Sequence, residues 1–242
     1  MLIRNPFFRK FQLAKDQKSS ASYKGIAVKG LFFWVLCLTG LIAYYHFPIS
    51  LENSPILLTG IILAVVCPLI AYIFPMTTSI TGSVYSLLQG YLLGVVFDSY
   101  FQAYMGLMWL AIGITILVFT VLAFLYLRGI IKPNQKFKAV FLGLFLASLI
   151  GSAGIYASSF FTDILINFFH SHTMIAIGIS VISLFLAIIN LVFEFDFTLK
   201  LISKGAHKKY EWTAAYGLFM SMILIFIRIV EIIEKFTSRK DN

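Results

Sequence analysis

The amino-acid sequence predicts an all-α, polytopic membrane protein with seven transmembrane helices. Hydrophobic residues make up 60% of the 242 residues, charged residues make up only 12%, and the apolar residues occur in long stretches. A soluble domain of this length needs a more strongly charged surface. The apolar stretches do not alternate with a period of two, which argues against a membrane β-barrel.

Seven apolar stretches are candidates for crossing the hydrocarbon, which takes about 20 residues of helix. Spans one to seven are placed at residues 25–47, 56–74, 80–97, 104–127, 138–160, 174–196 and 212–233. Pro68 is expected to kink span two, because a proline inside a helix removes a backbone hydrogen bond. Gly90 and Gly94 form a GxxxG pair in span three, which predicts close packing against another helix.

Lysine and arginine residues fill alternate gaps between the spans. Fifteen of them lie before or just inside span one, between spans four and five, or between spans six and seven, and the other three gaps carry none. Since positively charged loops stay on the cytoplasmic side, a cytoplasmic N-terminus is predicted. The basic residues flank apolar spans, so their expected partner is the lipid bilayer and not nucleic acid.

The chain is therefore expected to have three parts. These are a basic N-terminal arm of residues 1–24, a membrane domain of residues 25–233 and a short polar tail of residues 234–242. The side of the membrane on which the tail lies is left open. An odd number of spans places the tail outside, yet it carries Lys235, Arg239 and Lys240.

Polar residues within the spans are the candidate functional residues, because ionisable groups are costly in hydrocarbon. Glu194 and Asp196 lie at the predicted cytoplasmic end of span six. Loss of water disfavours the charged form of a carboxylate, so such a group is suited to a proton-sensitive gate or a cation site. Residues two apart point about 200° from each other on a helix, so the two acids cannot face one pore. The alternative is a solvated pair that ends the span.

Four further polar residues lie in spans three and seven. Arg228 and Glu231 are three residues apart, so they are expected either to pair with each other or to line a permeation path. Ser221 lies seven residues before Arg228, on much the same face of the helix. Gln89, in span three, is expected to form an interhelical hydrogen bond.

No catalytic motif is apparent. The sequence lacks HExxH, GxSxG, a P-loop and a dinucleotide fingerprint, so the protein is predicted not to be an enzyme and to use no cofactor. An intramembrane hydrolase is disfavoured, because no constellation of His or Ser residues lies within a span. Two histidines in a predicted outer loop, His170 and His172, are weak evidence for a metal site, and any bound metal is left open.

Several stretches resemble the bacterial branch of the Bax inhibitor family. The most specific one runs from Asn190 through Asp196 to Thr198 and continues as KKYEWTAAYGL at residues 208–218; weaker similarities lie at residues 5–8, 23–29 and 84–94. The resemblance implies seven helices with the last one central, a bacterial cytoplasmic membrane and pH-sensitive leak of calcium. It also implies that Asp196 is one of two aspartates, on the sixth and seventh helices, that sense protons.

The chain departs from the family pattern at two positions. By the resemblance, Ser221 stands where the second aspartate is expected, and Gln89 stands where many members have Glu. A serine does not ionise, so Asp196 is expected to titrate alone, and calcium loses one carboxylate ligand.

The predicted function is a pH-sensitive cation leak channel for calcium or protons, or a regulator of ion homeostasis. Asp196 is its expected gate element and Glu194 the alternative gate. Ser221 and Gln89 are expected as neutral pore or packing partners. The alternative function is an interaction protein that modulates another membrane protein, such as a quality-control protease. In that case the basic arm matters more than the spans.

Overall fold

A computed structural model describes residues 20–48, 54–101, 105–131 and 173–238. Within these ranges the secondary structure is helical apart from turns and one isolated β-bridge. The α-helices are α1 (Tyr23–His46), α2 (Ser54–Ile73), α3 (Thr78–Phe101), α4 (Met105–Leu127), α5 (Thr173–Ser203) and α6 (Glu211–Ser238). The all-α class is thus confirmed for the described part of the chain, and α5 and α6 correspond to predicted spans six and seven.

Five helical segments in the described residues are long and apolar enough to cross a membrane. They are Tyr23–His46, Pro75–Asp98, Gly106–Tyr126, Ile177–Ser203 and Lys208–Phe236. Exposed apolar side chains such as Leu31 and Val35 on α1 are suited to contact with lipid tails. Helix α2, with Pro68 inside it, carries a shorter apolar stretch at Ile62–Ala71.

The total of seven spans stays a prediction. Predicted span five at 138–160, residues 1–19 of the arm and residues 239–242 of the tail lie outside the described residues.

The largest difference between predicted and observed helix ends is at span six. Helix α5 continues to Ser203 and does not end at residue 196. It ends in a Schellman motif, in which the N–H of Gly205 donates to the carbonyl of Ile202 (2.9 Å) and the N–H of Ala206 to that of Leu201 (3.1 Å). Gly205 has a φ of +62°, a conformation that favours glycine. The predicted end followed the first charged residues, but charge alone does not stop a helix.

The chain divides into two compact units. The first contains Met1–Ala103 and Phe197–Met220, and the second contains Tyr104–Asp196 and Ser221–Asn242. Helices α1, α2 and α3 therefore belong to the first unit and α4 to the second, while α5 and α6 contribute to both. No α6 residue from position 211 to 235 is exposed, as expected of a helix packed on several sides.

In the first unit, α1 and α3 approach each other through glycines. Gly90 lies against the backbone of Cys37, and a Cβ atom on Gly94 would come within 2.6 Å of the Tyr44 ring. Since the earlier residue of α1 meets the earlier glycine of α3, the two helices run in the same direction. The close packing predicted from the GxxxG pair is therefore confirmed.

Candidate functional site

Asp196 lies inside the second unit, on α5, with 5% of its surface exposed. The hydroxyl of Tyr126, on α4, donates a hydrogen bond to Asp196 Oδ1 at 3.1 Å. The Phe195 ring stacks on the Tyr126 ring, with the ring centroids 6.0 Å apart. This burial disagrees with the alternative of a solvated acid at the end of a span.

Glu194 lies on the same helix and is half-buried. The contrast with the buried Asp196 agrees with the predicted angle of about 200° between the two side chains. The two acids therefore have different surroundings, although only one residue separates them.

Ser221 is held by an amide group. Asn190 Nδ2, on α5, donates to Ser221 Oγ, on α6, at 2.9 Å, and Ser221 is only 1% exposed. Buried polar groups are stable when they are hydrogen-bonded in this way. The position at which the resemblance predicts a second aspartate is thus occupied by a neutral pair that ties α5 to α6.

A polar network surrounds Glu231 in the second unit. The predicted pairing of Arg228 with Glu231 is confirmed, with Arg228 Nη1 at 2.8 Å from Glu231 Oε2. Lys235 Nζ lies 2.8 Å from Glu231 Oε1, and it also donates to Ser180 Oγ, on α5, at 2.6 Å. Ser180 Oγ in turn donates to Glu231 Oε1 at 2.9 Å. One carboxylate thereby accepts hydrogen bonds from three side chains.

Sequence reasoning missed Tyr126, Ser180 and Lys235 as site residues. Lys235 follows Glu231 by four residues, a spacing that indicates an ion pair on a helix, so this contact carries a sequence signal. Tyr126 and Ser180 are bonded to residues 70 and 51 positions away, and nothing local points to their partners.

Gln89 is buried on α3, with 8% of its surface exposed. It belongs to the first unit, whereas Asp196, Ser221, Arg228 and Glu231 belong to the second. The predicted site residues are therefore divided between the two units.

A second cluster, in the first unit, is centred on Glu211 at the start of α6. Glu211 is 0% exposed, and its Oε1 accepts hydrogen bonds from the backbone N–H of Ser22 (2.9 Å) and from Ser22 Oγ (3.1 Å). Its Oε2 forms an ion pair with Lys29 Nζ. We call these three residues the Glu211 clamp. It fastens the N-terminus of α1 to the start of α6.

The Glu211 clamp caps the N-terminus of α1. In a capping box, the side chain of the third helical residue bonds the N–H of the N-cap residue. Here the N-cap residue is Ser22, whose Oγ accepts from the N–H of Gly25 at 3.1 Å, and that third residue is glycine. The Glu211 carboxylate lies where a Gly25 side chain would be. It bonds the Ser22 N–H instead and places negative charge at the helix N-terminus, where the helix dipole favours it.

Aromatic rings pack beside the clamp. Lys29 Nζ lies 5.4 Å from the centre of the Trp212 ring, and Phe33 packs edge-on against Trp212 with the ring centroids 5.7 Å apart. Since a cation over an aromatic face is attracted to it, Trp212 helps to hold Lys29 beside the carboxylate.

Metal ligands are not clustered in the part of the chain that the structure describes. No group of three or more His, Cys, Asp or Glu side chains there is suited to holding a metal ion. Cys37 and Cys67 are free and buried. His170 and His172 lie outside the described residues.

Comparison with known proteins gives one match. A family model described as Bax inhibitor 1 like matches residues 5–238, nearly the whole chain. Curated proteins and solved structures show no match. The resemblance drawn from the sequence motifs is therefore confirmed at the level of the family.

Proposed function

Because the chain belongs to the Bax inhibitor 1 like family, we propose that this integral membrane protein is a pH-sensitive leak pathway for calcium or protons, or a regulator of their balance. The observation that carries the proposal is the buried carboxylate of Asp196 on an apolar helix. Ionisable groups inside membrane helices are costly and mark ion or proton paths. We place the protein in a bacterial cytoplasmic membrane, with its N-terminus in the cytoplasm and no enzymatic activity.

In this proposal the charge of Asp196 controls cation entry. An ionised carboxylate in a medium of low dielectric constant attracts cations more strongly than it would in water. The hydrogen bond from Tyr126 stabilises that charged form. When Asp196 takes up a proton, the attraction is lost, so leak falls as the pH falls.

The neighbouring polar groups have supporting roles. Asn190 and Ser221 are neutral and bonded to each other, so they stay uncharged when Asp196 is protonated and do not share its proton. The charges of Arg228, Glu231 and Lys235 are paired within one network. We assign this network to holding α5 and α6 together.

The test is cation flux into liposomes that contain the purified full-length protein. Calcium and proton entry are followed with trapped indicator dyes for the wild type, Asp196→Asn and the matched control Glu194→Gln, which removes an acid two positions away. We expect Asp196→Asn to lower calcium entry at neutral pH about tenfold, and the control to keep most of it. Equal flux in the wild type and Asp196→Asn would contradict the proposal.

A second candidate function is modulation of another membrane protein through the arm. The Glu211 clamp favours it, because it holds Ser22, which lies near the end of the arm. Deletion of residues 1–19 leaves the clamp residues in place. If the arm carries the function, this deletion abolishes the modulation of the other membrane protein in cells, while cation flux in liposomes is unchanged. Loss of the modulation and of the flux together indicates that the arm serves the leak itself.

A further inference from the structure

We propose that the α5–α6 turn and the N-terminus of α1 form a docking surface for the phosphate-bearing headgroups of anionic phospholipids. We call this surface the basic face and define it by Lys24, Lys204, Lys208 and Lys209. The proposal does not depend on whether the protein conducts cations.

Backbone contacts place the two segments of the basic face side by side. The N–H of Ala21 donates to the carbonyl of Ala206 at 2.7 Å, and Ser20 forms an antiparallel bridge with His207. Lys24 follows Ala21 by three residues, Lys208 directly follows His207, and both lysines are exposed. Lysines from opposite ends of the chain thus lie in neighbouring segments.

The basic face carries an excess of positive charge within the first unit. The described acidic residues of that unit are Asp98 and Glu211. Glu211 is fully buried and paired with Lys29. Asp98 accepts a hydrogen bond from Tyr44, near the opposite end of α1. Neither of these two described carboxylates is exposed beside the lysines of the basic face, so the described residues give the face a positive charge.

Apolar side chains beside the lysines favour lipid over a soluble anion. Lys209 Nζ lies 5.2 Å from the centre of the Tyr210 ring and 3.8 Å from Met76 Sδ. Met76 is 57% exposed and Phe74, two residues before it, is 59% exposed. Lysines that lay their stems on apolar surface and hold their ammonium groups in the headgroup layer are typical of membrane interfaces. The charge pattern predicts that this end faces the cytoplasmic leaflet, where anionic lipids attract basic segments.

The Glu211 clamp gives the basic face a fixed geometry. Its hydrogen bonds from Ser22 and its ion pair with Lys29 hold the α1 segment against the turn. A diffuse attraction between lysines and an anionic surface needs no such fixed geometry. Glu211 is therefore a positioning residue, and its substitution separates the two explanations.

The experiment is native mass spectrometry of the full-length protein in detergent, titrated with phosphatidylglycerol or, as a neutral lipid, phosphatidylcholine. Each lysine near an anionic surface contributes on the order of 1 kcal/mol, so we expect Lys208→Gln to weaken phosphatidylglycerol binding about fivefold. The matched control is Arg128→Gln, which removes an exposed cation that stacks on Phe124 in the second unit. We expect the control to change binding less than twofold. If both substitutions weaken phosphatidylglycerol binding equally, the proposed docking surface is contradicted.

Glu211→Gln gives the sharper result, because it removes a negative charge. A general electrostatic attraction predicts equal or tighter phosphatidylglycerol binding in this variant. A docking surface of fixed geometry predicts phosphatidylglycerol binding about fivefold weaker, because the α1 segment is released. Ser22→Ala loosens the clamp without changing the charge, and we expect about twofold weaker binding. Unchanged or tighter binding in both variants contradicts the proposal, and so does equal binding of soluble glycerol phosphate and of the lipid.

Discussion

Glu211 and Glu231 lie on the same helix and both pair with a lysine, yet they are held in different ways. Glu211 is 0% exposed and is bonded to Ser22 and Lys29, which are 189 and 182 residues away in the chain. The Glu231 side chain is 25% exposed and is paired with Arg228 and Lys235 of its own helix. Only Ser180 reaches it from another helix, among the described contacts.

This difference shows which carboxylate links distant parts of the fold. If Glu211 loses its partners, it stays buried with an uncompensated charge, and α1 loses its attachment to α6. If Glu231 loses one partner, a second cation still pairs with it, and water reaches part of the group. We therefore expect substitutions at the Glu211 clamp to lower the free energy of unfolding far more than substitutions around Glu231.

The largest effect is expected for Lys29→Met. It leaves the fully buried Glu211 carboxylate without its cation, and breaking a buried ion pair in this way costs about 3–5 kcal/mol. The free energy of unfolding is measured by titrating the protein from mild detergent micelles into SDS and following tryptophan fluorescence, to which Trp212 beside the cation contributes. A loss below about 1 kcal/mol would show that the clamp is not a buried ion pair.

A smaller effect is expected for Ser22→Ala. The substitution removes the N-cap of α1 and one hydrogen bond to Glu211, while the backbone N–H of residue 22 still reaches the carboxylate. Loss of such a cap costs about 0.5–2 kcal/mol. The same unfolding titration measures it. Ser22→Thr, which keeps the hydroxyl, is the control and should recover most of the loss.

The smallest effect is expected for Lys235→Met, the counterpart of Lys29→Met. Arg228 still pairs with Glu231, and partly exposed ion pairs contribute only about 0–1 kcal/mol. We therefore expect a loss of at most about 1 kcal/mol in the same titration. Equal losses for the two lysine substitutions would remove the distinction between the two sites.

Sequence reasoning succeeded where the signal is local. Long apolar runs predicted the helices, and the spacing of Arg228 and Glu231 predicted their ion pair. It failed at the end of α5, because acidic residues look like a span boundary although the helix continues to Ser203 and ends at the turn that contains Gly205. It also gave no partner for Glu211. The capping box that would reveal such an acid has glycine at position 25, and the acid comes from the far end of the chain.

The same reason limits prediction of the Asp196 site. The resemblance pointed to Asp196 and to position 221, but the bonds that Tyr126 and Asn190 make to them depend on how separate helices pack. Sequence spacing carries no information on such contacts. The residues were therefore predicted, while their partners required the structure.

The central claim, that the charge of Asp196 controls cation leak, is tested most directly by the pH dependence of calcium entry into liposomes. Wild type and Asp196→Asn are measured at a series of pH values from acid to neutral, each at the same protein density. We predict that wild-type entry rises with pH as Asp196 loses its proton, and that Asp196→Asn entry is low and does not vary with pH. Identical pH profiles for the two proteins would contradict the account.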